Sequence, residues 1–149
     1  MATDLLDQPL DVARKIGAGR TINTRADPDG LASYGAGKGT FDAVFEASGA
    51  ASALAAAIAC ARPGATIVQV GIGADATPPV PLNVLVAKEI TLRGTFRFHE
   101  EFAWAVDFIV SRRIDVRPLL TEVVPLAEAV RGFDLASDRS RAMKILLAF

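Results

Sequence analysis

The residues of this 149-residue sequence that could do chemistry are a few acids and cations at the ends of apolar runs, three glycine clusters, one cysteine and one histidine. Asp4 comes first. It closes a short apolar start, and an amphipathic stretch follows it, which is how the second strand and helix of a dinucleotide-binding fold read. In such a fold the acid accepts the hydroxyls of an adenosine ribose, about 20 residues after a glycine-rich phosphate loop. Only three residues precede Asp4. A lone acid in this position is also an ordinary helix cap.

None of the three glycine clusters supplies the loop. GAGKGT (35–40) mimics a triphosphate loop, but Gly39 follows Lys38 where Ser or Thr is required, and no apolar strand leads into it. A flexible loop is the simpler reading. GIGADA (71–76) has the G-x-G-x-x-A spacing directly after an apolar run, yet Thr77-Pro78-Pro79-Val80-Pro81 cannot start the helix whose amides would hold a pyrophosphate. It reads instead as a glycine turn at a strand's carboxyl end, beside a ligand. Gly17 and Gly19 fall at the end of a helix and are C-caps.

With one cysteine and one histidine there is no ligand set for zinc and no oriented nucleophile–base pair. Cys60, in an alanine-rich helix, reads as a buried small apolar group. Glu46 and Arg97 lie at strand carboxyl ends, where open α/β sheets bind ligands. For Arg97 a plain surface cation is the alternative. Trp104 reads as a core or interface anchor.

The elements that must position these residues alternate. Helical spacing marks 10–16, with Pro9 in the first turn. RTIN (20–23) is a short extended piece, FDAVFEA (41–47) a strand, and AASALAAAIACA (50–61) a helix of small residues. ATIVQVGI (65–72) reads as a strand buried on both faces of a parallel sheet. A short helix near 83–88, a strand over 89–98 and an amphipathic helix over 100–113 follow. Beyond Pro118 the order is strand, helix, strand. The expected fold is α/β, with a parallel sheet flanked by helices. Net charge −1 gives no footprint for nucleic acid or an anionic membrane. No apolar run spans a bilayer, and no export signal is read, so a reducing cytoplasm is expected.

In order and spacing these segments resemble the zinc-dependent medium-chain alcohol and polyol dehydrogenases, C-terminal portion only. ATDLLDQPLDVARKIGA resembles the second strand and helix of their cofactor domain, FDAVFEASGA the fourth strand and turn, and GATIVQVGIG the fifth strand. KEITLRGTFRFHEEFAWAVDFI resembles the sixth strand and helix as seen in the sorbitol and L-idonate branch, GTFRF being its most specific piece. The tail from Pro118 is similar to the family's last segment, which completes the catalytic domain. The resemblance implies an incomplete Rossmann-type sheet over 1–118, lacking its first, central strand, and a catalytic-domain segment over 119–149.

The resemblance further implies NAD contacts. Asp4 would hold the ribose hydroxyls and, by its charge, favour NAD over NADP. Ser48 and Gly49 would flank the adenosine. Val70, Gly71 and Ile72 would line the nicotinamide side, with Phe96 and Arg97 near the carboxamide. Some relatives carry a basic residue where this chain has Pro9, which puts an adenosine-side cation in doubt. The implied reaction is hydride transfer between a polyol or sugar acid and nicotinamide, with zinc bound in the intact enzyme and not here. This chain alone is expected to be inactive, with weak or absent dinucleotide binding. In the strand order 3-2-1-4-5-6, loss of the first strand leaves strands two and four with unpaired backbone. They close together, accept a strand from another chain, or stay loose. Self-association, as a dimer through strand 90–97, is expected. The alternative function is a non-catalytic α/β module that self-associates or pairs with a partner.

Overall fold

The computed structural model describes residues 1–74 and 77–149. The chain forms two compact units, Met1–Pro28 with His99–Phe149, and Asp29–Phe98.

In the first unit, β1 (Ala2–Asp4) pairs in parallel with β2 (Thr21–Asn23), Asp4 opposite Asn23, across the connecting helix α1 (Asp7–Lys15). α1 begins three residues earlier than its apolar spacing suggests. Pro9 costs nothing there, because the first turn's amides have no helical acceptor in any case. Asp7 in the first turn and Arg14 and Lys15 in the last match the helix dipole. Leu10 and Val12 are buried, and Gly17 (φ +108°) lets the chain leave the helix.

Farther along this unit, β6 (Leu120–Pro125) and β7 (Lys144–Ala148) pair in parallel around α6 (Ala129–Ser137). Val124 is fully buried, and α6 comes close to the strands at Gly132, where a Cβ would stand 3.0 Å from a Leu147 methyl. The helix over 100–113 is observed as α5 (Glu100–Val110), and none of its residues is buried. Trp104 is 56% exposed and so is no core anchor. Among the described residues no element buries the apolar face of α5.

The second unit holds a three-stranded parallel sheet, β3 (Phe41–Glu46), β4 (Ala61–Gln69) and β5 (Thr91–Gly94), in the order β3-β4-β5. α3 (Ala51–Cys60) connects the first pair of strands and α4 (Leu82–Ala87) the second. The core is Leu54, Ala57, Ile58, Ala61, Ala65, Ile67 and Ile90. The alanines let α3 approach the sheet closely, while Ile58 and Ile67 fill the space. Lys88 fixes the end of α3, its Nζ donating to the carbonyls of Ile58, Ala59 and Ala61 at 2.9, 2.8 and 3.0 Å. Cys60 is buried, as read from its alanine-rich surroundings. Burial pushes its thiol up, against the opposing pull of the Lys88 cation.

β4 departs from expectation. Ala65 and Ile67 are buried but Thr66 and Val68 only half so, and Val70 is exposed. One face of the strand meets α3, and the described residues supply nothing of equal weight for the other. β5 is likewise shorter than 89–98. Its ladder ends where β4 ends, with Gly94 opposite Gln69. The GAGKGT cluster has a packing role: Gly39 (φ +103°) lies where a Cβ would stand 2.2 Å from the Ala61 carbonyl oxygen.

The pairings β1-β2 and β3-β4-β5 are the 3-2 and 4-5-6 segments of the order 3-2-1-4-5-6, an incomplete Rossmann-type sheet without its strand one. Among the described residues β1 pairs only with β2 and β3 only with β4. Ile67→Ala, which opens a cavity in the second unit's core, is expected to cost about 2–5 kcal/mol in urea unfolding.

Candidate functional site

Parallel strands in register bring their following loops to one edge. Glu46 of β3 lies opposite Gln69 of β4, which lies opposite Gly94 of β5. The chain therefore leaves the sheet through Ala47–Ala50, through Val70–Gly73 and through Thr95–Phe98 along a single carboxyl edge. Thr95 is still tied to it, its amide donating to the Gln69 carbonyl at 3.1 Å.

Glu46 organises this edge. Only 4% exposed, it is the buried charged residue of the described chain. Its Oε1 accepts from the Ser48 amide at 2.8 Å and from the Ser48 hydroxyl, and its Oε2 from the Gly49 amide at 2.9 Å and from Gln69 Nε2. Its backbone carbonyl accepts from the amides of Val70 and Gly71 at 2.7 and 2.9 Å. Burial alone would raise the carboxyl's pKa. The Ser48 hydroxyl, the Gly49 and Ser48 amides and the Gln69 side chain outweigh it and hold the group below its ordinary value.

The two glycine turns so fixed touch backbone to backbone. A Cβ on Gly49 (φ +75°) would stand 2.4 Å from the Gly73 nitrogen, and one on Gly71 would stand 2.1 Å from the Gly49 nitrogen. Ser48, Gly49, Gly71 and Ile72 are thus brought together, with Val70 hung from Glu46. Val70 and Ile72 turn exposed apolar side chains outward. Phe96 and Arg97 follow β5 and stack on each other, the guanidinium carbon 4.3 Å from the ring centroid. The reading of GIGADA as a ligand-side turn extends over Asp75 and Ala76, which lie outside the described residues.

Asp4, in the other unit, closes β1. Its Oδ1 accepts from the amides of Leu5 and Leu6 at 2.7 and 3.0 Å, a local turn ahead of α1 and not the helix cap expected of it, since Leu6 is the N-cap and no side chain bonds to the first turn. Its Oδ2 stands 3.6 Å from Nη2 of Arg139. Reading the sequence missed two residues. Gln69 had a signal, being the one polar residue with a long side chain inside ATIVQVGI. Arg139, far along the chain from Asp4, had none.

Among the described residues no group of three His, Cys, Asp or Glu could hold a metal ion. The first unit thus carries an acid at a strand end, and the second, separately, backbone turns with apolar side chains along its sheet's carboxyl edge. Among the described residues no G-x-G-x-x-G stretch opens a helix, the turn before α3 carrying the single glycine Gly49.

Parallel α/β pairing in this order, with glycine turns along the carboxyl edge, defines the class of Rossmann-type cofactor domains. The chain belongs to the zinc-binding dehydrogenase family, whose model matches residues 1–111. It is 33% identical to the L-idonate 5-dehydrogenase (NAD(P)(+)) of Escherichia coli K12, over 100% of this chain and 43% of that one. It is 32% identical to the D-xylulose reductase of Saccharomyces cerevisiae, over 90% of this chain and 39% of that one. The crystal structure of the E. coli L-idonate 5-dehydrogenase superposes with a TM-score of 0.91, covering 99% of this chain and 42% of that chain. The chain thus spans about two fifths of the length of the curated relatives it matches. No helix among the described residues is long and apolar enough to cross a membrane.

Replacing Glu46 by Gln puts an NH2 group against a site built of donors and is expected to cost about 1–3 kcal/mol at neutral pH. Because folding lowers the Glu46 pKa, its contribution is full above the unfolded value, about 4.3, and is lost as pH falls through the folded one. In urea titrations the gap between wild type and Glu46→Gln should therefore narrow as pH falls below about 4. A gap that stays constant down to the acid transition would exclude this.

Proposed function

We propose that residues 1–118 are the cofactor-side portion, and 119–149 a catalytic-domain segment, of an NAD-dependent, zinc-type oxidoreductase acting on a polyol or sugar acid. In the whole enzyme hydride passes between the alcohol carbon and nicotinamide. The observation that carries this reading is the in-register carboxyl edge of β3, β4 and β5, in a chain 33% identical along its whole length to an L-idonate 5-dehydrogenase. Asp4 accepts ribose hydroxyls, and Ser48 and Gly49 flank the adenosine. Val70, Gly71 and Ile72 line the nicotinamide side, with Phe96 and Arg97 at the carboxamide. The buried, reduced Cys60 suits a cytoplasmic setting.

The 149-residue chain by itself lacks a metal cluster among its described residues and a pyrophosphate turn. It is therefore expected to show no turnover with L-idonate or sorbitol and NAD. Titration of NADH fluorescence with the chain should give dissociation constants no tighter than micromolar. Submicromolar binding would overturn the weak-binding half of the proposal.

A second reading, self-association, is favoured by the open edges. Every residue of β5 is exposed, β5 pairs only with β4, and Phe45 on β3 is exposed as well. Such edges and apolar side chains favour pairing between copies. We propose a dimer through residues 90–97. Light scattering at high micromolar concentration is expected to give a mass above 15.7 kDa, and a strictly monomeric mass would count against it.

A further inference from the structure

We propose that α5 is a self-association surface of its own, separate from residues 90–97, on which the α5 of a second copy of this chain lies antiparallel. The proposal does not rest on the cofactor reading. A helix sets residues four apart in one inclined row, and the side chains of such a row form a ridge. Two neighbouring rows of α5 have the same composition. Glu100, Trp104, Phe108 and Arg112 make up the first, and Glu101, Ala105, Ile109 and Arg113 the second. Each runs from an acid through two apolar residues to a base. Arg112 and Arg113 follow the C-cap Ser111, and their amides donate to the carbonyls of Ile109 and Phe108 at 3.1 and 2.8 Å, which keeps both against the helix's last turn.

The two ends of the first row cannot satisfy one another within one chain. Twelve residues of helix rise about 18 Å, far beyond the reach of an ion pair. Glu100 and Arg112 are both exposed, and neither makes an ion pair among the described residues. Between them stand Trp104 and Phe108, 56% and 37% exposed. A two-fold axis near Val106 makes this row its own complement. Glu100 then meets the second copy's Arg112 and Trp104 meets its Phe108, and symmetry repeats both contacts. Ridges of this kind interlock by entering the groove between two rows of the facing helix, and Ala105, beside Trp104, leaves that groove open. Antiparallel pairing also sets each helix N-terminus against a C-terminus of opposite partial charge. Asp107 is the charge nearest the axis, and its own Arg113, 4.0 Å away, offsets it. A parallel pair would place acid on acid and base on base. The order of charges thus selects a second copy, antiparallel, to cover the apolar ridge.

Trp104 is the one tryptophan of the chain, so its fluorescence reports on this contact directly. As the intact chain is raised from low to high micromolar concentration, its emission is expected to move to shorter wavelength while sedimentation records a rise in mass. The same series in Leu92→Lys, which puts a charge on the exposed β5 edge, reads the α5 contact without that edge. Glu100→Arg and Arg112→Glu each turn two attractive pairs per dimer into repulsive ones, and each should weaken the association roughly tenfold. The double variant restores every pair with its sign reversed and should associate within about threefold of wild type. Circular dichroism of all three should match wild type, since both positions are exposed. Emission that does not respond to concentration, or a double variant as weak as the single ones, would overturn the proposal. Association unchanged in both single variants but lost in Leu92→Lys would also overturn it, and would leave the dimer through residues 90–97 standing.

Discussion

One carboxylate removed from water sets the geometry of the sheet's carboxyl edge. A buried charge is tolerated only where donors surround it, and Glu46 gathers four of them from Ser48, Gly49 and Gln69. Those donors lie on the turn after β3 and on the last residue of β4, whose side chain also donates to the Gly71 carbonyl at 2.8 Å. Satisfying one side chain therefore draws the turn after β3 and the turn after β4 into a single arrangement, which the glycines permit by offering no Cβ to the contact. Ser48 serves twice, its hydroxyl donating to Glu46 and accepting from the Ala50 amide at 3.1 Å, which leads the chain into α3. The turns are thus positioned from beneath, and their outward surface is left to backbone groups and to Val70 and Ile72.

The same economy of partners explains the rest of the surface. Parallel strands pair on both sides in a complete sheet, and here β1, β3 and β5 each pair on one side only among the described residues. The apolar face of α5 and the outer face of β4 follow suit, each carrying side chains of a type that normally goes inside. A chain spanning about two fifths of the curated relatives it matches has these faces without the elements that would bury them. What remains well packed is local: α3 on β3 and β4, α6 on β6 and β7.

How much of this was legible in the sequence follows from the range of the forces involved. The helices and strands were readable because periodicity, glycine and proline act within a few residues. α3 and β3 fall within a residue or so of their expected ends. Failures came where a distant partner decides. ATIVQVGI reads as doubly buried because its composition reports a complete sheet, yet only Ala65 and Ile67 find cover among the described residues. Trp104 reads as an anchor for the same reason. β5 stops at Gly94 because β4 stops at Gln69, a limit no property of TFRF announces. In the candidate site, Glu46 was visible as an acid at a strand end, but its role needed Gln69. Asp4 was visible both as a cap and as a ribose ligand; the structure replaces the first by a turn onto the Leu5 and Leu6 amides, ahead of α1, and does not bear on the second.

The two parts of the proposed cofactor surface are built from different materials, and this has a consequence for how they can change. The turns at Gly49 and Gly71 rest on backbone contact, a positive φ and a buried carboxylate, so nearly any substitution there costs packing or leaves a charge without donors. Asp4 and Arg139 form an exposed pair, where exchanging a side chain disturbs no core. The glycine turns are therefore constrained by the fold, while the 74% exposed Arg139 can be exchanged at little cost in stability. The turn that carries this cation is fixed by its own hydrogen bonds, the Ser140 amide and hydroxyl donating to Asp138 Oδ1 at 2.9 and 2.6 Å, and not by the identity of residue 139.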